Sequence, residues 1–194
     1  LLVLALYYII KRKMGASVLW YLAALLCKVQ ALLFAPVMLA GAIRCCMYYV
    51  RDRKSADAEI KKQAGSQLWR FAASLGVSLA VFVLLSVLMQ SGQPRITWLF
   101  EKYFATMSSY PYAALSTFNL MSLLGGQWAQ LGTEVMGLGI TYQTLHYILL
   151  FASIAAAVAL MVMKFKNRCV YLWASFIVAA IVTLTGTMHE RYLY

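Results

Sequence analysis

Apolar and polar positions alternate along this chain in long blocks rather than residue by residue. Leu1–Ile10 is an apolar run closed by Lys11, Arg12 and Lys13. Runs at about Gly15–Cys27 and Ala31–Val50 follow, parted by Lys28-Val29-Gln30, and a polar stretch at 51–70 leads to the cleanest run, about Phe71–Gln90. Two more lie at about Tyr142–Met163 and Val170–Thr187. Unbroken apolar blocks of this kind predict helices in lipid, because a membrane-crossing helix takes about 20 apolar residues and satisfies its own backbone. Gly15–Cys27 is short for a crossing, so it and Ala31–Val50 are expected as a helical hairpin. Its bend would carry Lys28 and Gln30 at the membrane boundary. The expected fold is all-α, a polytopic helical membrane bundle. Residues 1–194 are expected to be part of one transmembrane domain truncated at both ends, since the chain opens inside an apolar run and closes on a polar cluster.

A different pattern fills 91–141. Ser91-Gly92-Gln93-Pro94 breaks the preceding helix. Ile96, Leu99, Phe100, Tyr103, Phe104 and Met107 then fall on one stripe at i, i+3, i+4, i+7, i+8 and i+11, with Arg95, Thr97, Glu101, Lys102 and Thr106 off it. The spacing predicts an amphipathic helix over about 95–107, lying in the membrane interface or packed as an ordinary helix. Beyond it come Ser108-Ser109-Tyr110-Pro111-Tyr112, a short apolar helix holding Asn119, Gly125-Gly126-Gln127-Trp128, and a loop marked as flexible by Gly132, Gly137 and Gly139.

Composition agrees with lipid as the main solvent. Apolar residues make up 63% of the chain and charged residues 12%, against roughly 45–50% and 25% in soluble domains. The net charge of +11 does not point to nucleic acid, because the cations sit in short connections between apolar runs. The segments 11–13, 44–70 and 164–168 hold thirteen basic residues and three acids; the other side holds Lys28, Arg95, Lys102 and Arg191 with three acids. The positive-inside rule assigns the first set, with a basic loop at 44–70, to the cytoplasm. Lys28–Gln30, the whole of 91–141 and His189–Arg191 then share the extracytoplasmic face. Cys27, Cys45, Cys46 and Cys169 show no metal-ligand spacing and are read as free thiols.

Ionisable groups at a membrane edge are costly and often functional. Lys28 can bind a phosphate or carboxylate, or can snorkel to water along its own stem; Gln30, two residues on, favours a polar pocket. His189-Glu190-Arg191 closes the last run. Either the cluster caps a helix C-terminus, where cations are favoured, or Arg191 offers a planar fork to phosphate oxygens while His189 donates to phosphate or carries a proton and Glu190 binds a sugar hydroxyl or holds Arg191. Tyr110, Tyr112, Asn119 and Gln127-Trp128 suit sugar recognition, and equally an interfacial aromatic belt. His146, inside an apolar run, is read as structural.

Three stretches carry a resemblance. Lys28-Val29-Gln30-Ala31-Leu32-Leu33 with Pro36 resembles the KPQALL…P stretch of bacterial GT-C type membrane glycosyltransferases, mannosyltransferase-like enzymes. Tyr110-Pro111-Tyr112-Ala113, Phe118-Asn119-Leu120 and Leu123-Leu124-Gly125-Gly126 resemble their YPYA…FNL…LLGG loop, and Met188-His189-Glu190-Arg191-Tyr192-Leu193-Tyr194 their MHERYLYP segment. The order is kept across about 14–194, with Val29 standing where Pro is usual. The resemblance implies inverting transfer of a sugar from a polyprenyl-phosphate donor to a glycan, lipid or protein acceptor, at the extracytoplasmic face of a bacterial cell membrane. Lys28, His189 and Arg191 would contact the phosphate, Gln30 and Asn119 would orient oxygens, and Tyr110 and Tyr112 would face substrate. The family's catalytic Asp has no counterpart here, so the catalytic base is expected outside 1–194. Cofactors stay open, a divalent cation among them, without a ligand cluster in the sequence. The alternative is a transporter or flippase of lipid-linked sugars.

Overall fold

The computed structural model describes residues 1–89, 95–109, 111–163 and 169–189, with backbone only for Met107, Ser108, Met188 and His189. The chain is mostly helical. In order come α1 (Leu2–Ile10), α2 (Met14–Cys27), a 3-10 segment (Val29–Phe34), α3 (Ala35–Asp52), α4 (Ala58–Leu88), α5 (Trp98–Ser108), β1 (Ala114–Leu115), α6 (Leu120–Leu123), α7 (Tyr142–Met163), α8 (Val170–Leu184) and β2 (Met188–His189). Among the described residues, three stretches are long and apolar enough to cross a membrane: Val29–Asp52, Ala58–Leu88 and Tyr142–Met163.

The main core is built where α1, α2, α3, α7 and α8 meet, from Ile9, Met14, Val37, Met161, Ile177 and Ile181 among others. Glycines permit two of the closest approaches. A Cβ on Gly15 would stand 2.8 Å from the Arg70 carbonyl oxygen of α4, and one on Gly41 2.8 Å from Ile9 Cδ1. Elsewhere the helices are widely exposed, as lipid-facing helices would be: Leu172 on α8 is 68% exposed and Phe151 on α7 66%.

The bundle has two unlike ends. At the basic end the α1–α2 turn is tied to α3, the Tyr49 hydroxyl donating to the Arg12 carbonyl and accepting from Met14 N–H at 3.5 Å. The basic stretch 44–70, expected as a loop, is largely helix. α3 runs on to Asp52 and α4 begins at Ala58, leaving five linking residues. Lys, Gln and Glu are good helix formers, and Asp57 caps α4 by accepting from Glu59 N–H at 2.8 Å and Ile60 N–H at 3.3 Å. At about 1.5 Å per residue, the 31 residues of α4 outreach a hydrocarbon layer of about 30 Å. Its first turns carry Lys61 and Lys62 beyond the apolar part.

At the other end, α8 stops at Leu184 rather than near 187. The Thr185 hydroxyl bonds back to the Ile181 carbonyl at 2.7 Å while its backbone turns extended. β2 then pairs in parallel with β1, Ala114 beside Met188 and Leu115 beside His189. His189 therefore stands in a strand past the helix. Helix-dipole stabilisation fades within the last turn, so it does not account for this histidine.

Candidate functional site

The loop end gathers the segments singled out by sequence. Lys28 closes α2 with an extended backbone, its N–H bonded to the Ala24 carbonyl and its own carbonyl accepting from Ala31 N–H, both at 3.0 Å. Its side chain is exposed. Gln30, on the 3-10 segment, is half-buried, and its side-chain carbonyl oxygen is buried with no hydrogen-bond partner among the described residues. A buried amide oxygen without a partner is costly, which marks this bend as a place where a donor group is wanted. α5 lies close by: the Tyr103 hydroxyl donates to the Leu25 carbonyl at 2.6 Å and so ties α5 over the end of α2. Burial raises the Tyr103 phenol above its ordinary value, keeping it a protonated donor.

The stretch 111–141 has a small core of its own: Ala113, Ala114, Met121, Val135 and Tyr142. Ala113 N–H bonds the Ala129 carbonyl at 2.8 Å, Trp128 N–H bonds Ala114 at 3.0 Å, and Leu131 N–H bonds Pro111 at 3.0 Å. Gly126 packs so closely that a Cβ there would meet the Met121 carbonyl oxygen at 2.7 Å and Tyr142 Cε1 at 2.9 Å. The Tyr142 hydroxyl closes the turn by donating to the Leu124 carbonyl at 2.6 Å. The segment expected as a flexible loop turns back on itself, Val135 N–H bonding Ile140 and Tyr142 N–H bonding Thr133. Gly137 and Gly139 supply the positive φ this turn needs.

Asn119 precedes α6 rather than sitting within it, and its amide serves the fold. Its oxygen accepts from Ser122 N–H at 3.0 Å, and its nitrogen donates to the Thr185 carbonyl at 2.9 Å and, more weakly, to Val182 at 3.5 Å. It is a strut joining the 111–141 excursion to the end of α8. The hollow beside it, about 410 Å³, is lined by Phe118, Asn119, Leu120, Ser122, Leu123 and Thr183, with no cation. Tyr112 is half-buried, edge-on to Trp128 with centroids 5.8 Å apart. His146 Nδ1 accepts from Gly186 N–H at 3.0 Å, which leaves the neutral ring's proton on Nε2 and gives this histidine a structural task.

Lys28 and Gln30 thus share one bend, and Tyr112 and Asn119 share another segment with the backbone of His189. α8 links the two groups, touching both the 3-10 segment and α6. Tyr110, Glu190 and Arg191, and the side chain of His189, lie outside the described residues. Sequence reasoning missed Tyr103, Gly126 and Thr185 as organisers of this end. Tyr103 stood among the apolar residues of the α5 stripe, and nothing local announced its bond to Leu25. No protein-family model matches the chain, and no match is found among curated proteins or solved structures.

Proposed function

We propose that this chain is part of a polytopic membrane glycosyltransferase that moves a sugar from a polyprenyl-phosphate donor to an acceptor hydroxyl, with its site at the loop end on the extracytoplasmic face. The observation that carries this is that the 3-10 segment after Lys28 and the 111–141 excursion both attach to α8 or to the residues just past it. The Lys28–Phe34 bend touches α8, Asn119 bonds Thr185, and β2 pairs with β1. The unpartnered Gln30 oxygen, two residues from an exposed Lys28, adds polar groups to the same end.

In the transfer, the acceptor oxygen forms a bond to the sugar's anomeric carbon as the bond from that carbon to the phosphate oxygen breaks. The electron pair leaves with the polyprenyl phosphate and the acceptor proton passes to a base. Negative charge grows on the departing phosphate, so cations placed in advance lower the barrier. Lys28, Arg191 and His189 take that role, Gln30 accepts from a sugar hydroxyl, Tyr110 and Tyr112 line the sugar's path, and Glu190 orients Arg191. Asn119 acts at one remove by holding the excursion against α8. The base belongs to a part of the protein beyond this chain.

The test uses the natural full-length protein in lipid vesicles with a polyprenyl-phosphate hexose and candidate acceptors. Release of polyprenyl phosphate should fall by about 100-fold or more in Lys28→Ala and Arg191→Ala, the scale of losing one group that stabilises developing charge. Arg191→Lys should also be impaired, since the planar fork is lost. Near-normal turnover in all three sinks the phosphate role. Movement of labelled donor across the bilayer without a new glycosidic bond would favour transport instead.

A further inference from the structure

The basic end holds a cluster with no part in that chemistry. Tyr48 lies on α3 with Arg44 four residues before it and Arg51 three after, the spacing that puts side chains on one helix face. A third guanidinium comes from the α1–α2 turn. Arg12 there has a left-handed backbone, φ 56, uncommon for a residue with a side chain, and its carbonyl is held by the Tyr49 hydroxyl. The guanidinium carbons of Arg12, Arg51 and Arg44 stand 4.2, 5.2 and 5.3 Å from the Tyr48 ring centroid. No two can be further apart than the sum of the two largest of these distances, about a Debye length at 0.1 M salt. Asp52 pairs with Arg51, its carboxylate 3.2 Å from Arg51 Nε.

We propose that Arg12, Arg44 and Arg51, gathered around Tyr48, form a binding site for a phosphate ester group, either the headgroup of an anionic phospholipid or a soluble phosphate. Stacking on an aromatic ring orients guanidinium planes, and their N–H edges match phosphate oxygens in pairs. Basic pockets where membrane helices reach the surface are suited to anionic headgroups. A merely basic surface differs in kind: Lys61 and Lys62 at the start of α4 are exposed and attract anions without a fixed geometry. The site is at the opposite end from Lys28 and does not depend on glycosyl transfer.

The experiment places the natural full-length protein in phosphatidylcholine nanodiscs doped with phosphatidylglycerol and counts retained phosphatidylglycerol by native mass spectrometry. A second arm titrates inorganic phosphate. The wild type should bind phosphatidylglycerol or phosphate saturably, near one per chain. The combined Arg12→Gln, Arg44→Gln, Arg51→Gln variant should bind about 10-fold more weakly, while Lys61→Gln with Lys62→Gln stays within about 2-fold. The Arg→Lys triple should also weaken, because charge is kept and the fork lost. Arg51→Gln alone changes an exposed side chain, so it tests the site even if the triple fails to fold; it should lose about 3-fold. Displacement of the lipid by inorganic phosphate would support the site and assign it to a soluble ligand, whereas saturation by phosphatidylglycerol alone assigns it to lipid. Equal losses in the arginine and lysine sets, non-saturating binding of both probes, or wild-type binding by Arg51→Gln would overturn the proposal.

Discussion

The two ends of the bundle solve the same problem, turning a chain between apolar helices, by different means. At the basic end the turns are short: 11–13 and 53–57 join helices that carry their charges on helical backbone, held by a cap at Asp57 and one tyrosine bond. At the loop end some thirty residues leave the bundle and fold around their own small core before α7 begins. The basic end therefore leans more on local rules, capping and helix propensity, with the Tyr49 bonds to the α1–α2 turn as its long-range tie. The loop end is made of long-range contacts, β1 with β2, Asn119 with Thr185, His146 with Gly186, and tolerates little. The site proposed for glycosyl transfer lies at the end held by long-range contacts, as a site that must keep fixed groups in place requires.

The sharpest way to break this contrast is Gly126→Val. Even a Cβ would stand under 3 Å from the Met121 carbonyl oxygen and the Tyr142 ring, and neither backbone nor a ring bonded to Leu124 can step aside cheaply. Overpacking of this kind costs about 3 kcal/mol or more. Limited proteolysis of the purified protein should open 111–141 while α1–α4 stay protected. If the excursion keeps wild-type resistance, its core is softer than its packing suggests.

Asn119→Ala comes next. It removes the donor to the Thr185 carbonyl and the acceptor for Ser122 N–H, leaving buried backbone groups unpaired at about 1–3 kcal/mol. Hydrogen exchange should rise at 115–123 and 185–187 together, and unchanged exchange at 185–187 would show that β1 and β2 hold the end of α8 without this strut.

These residues also show how much could be read in advance. The start of α7 at Tyr142 was legible, because an apolar run bounded by polar residues is a local property. The hairpin bend at Lys28–Gln30 and the amphipathic α5 were legible for the same reason. The basic stretch 44–70 was not, since charge was taken for loop although Lys, Glu and Gln favour helix and Asp57 is a good cap. The strut made by Asn119 was not legible because an amide's partner, 66 residues away, leaves no trace in its neighbours. The same holds for His189, whose run of apolar residues hides the point where Thr185 and Gly186 leave the helix for β2.

The smallest effect belongs to the basic end. Asp57→Ala removes the side-chain acceptor for Glu59 and Ile60 N–H, and loss of such a cap costs about 1 kcal/mol. α4 continues far beyond its first turn, with Gly15 pressed on the Arg70 carbonyl and Ser74 buried, so the loss should fray only the residues before Ala64. Amide exchange should quicken at 58–62 while the melting temperature and the exchange of 111–141 stay as they were. Should this single exposed change loosen the excursion as well, the two ends are coupled through α4, and the division into a locally determined end and a globally determined one fails.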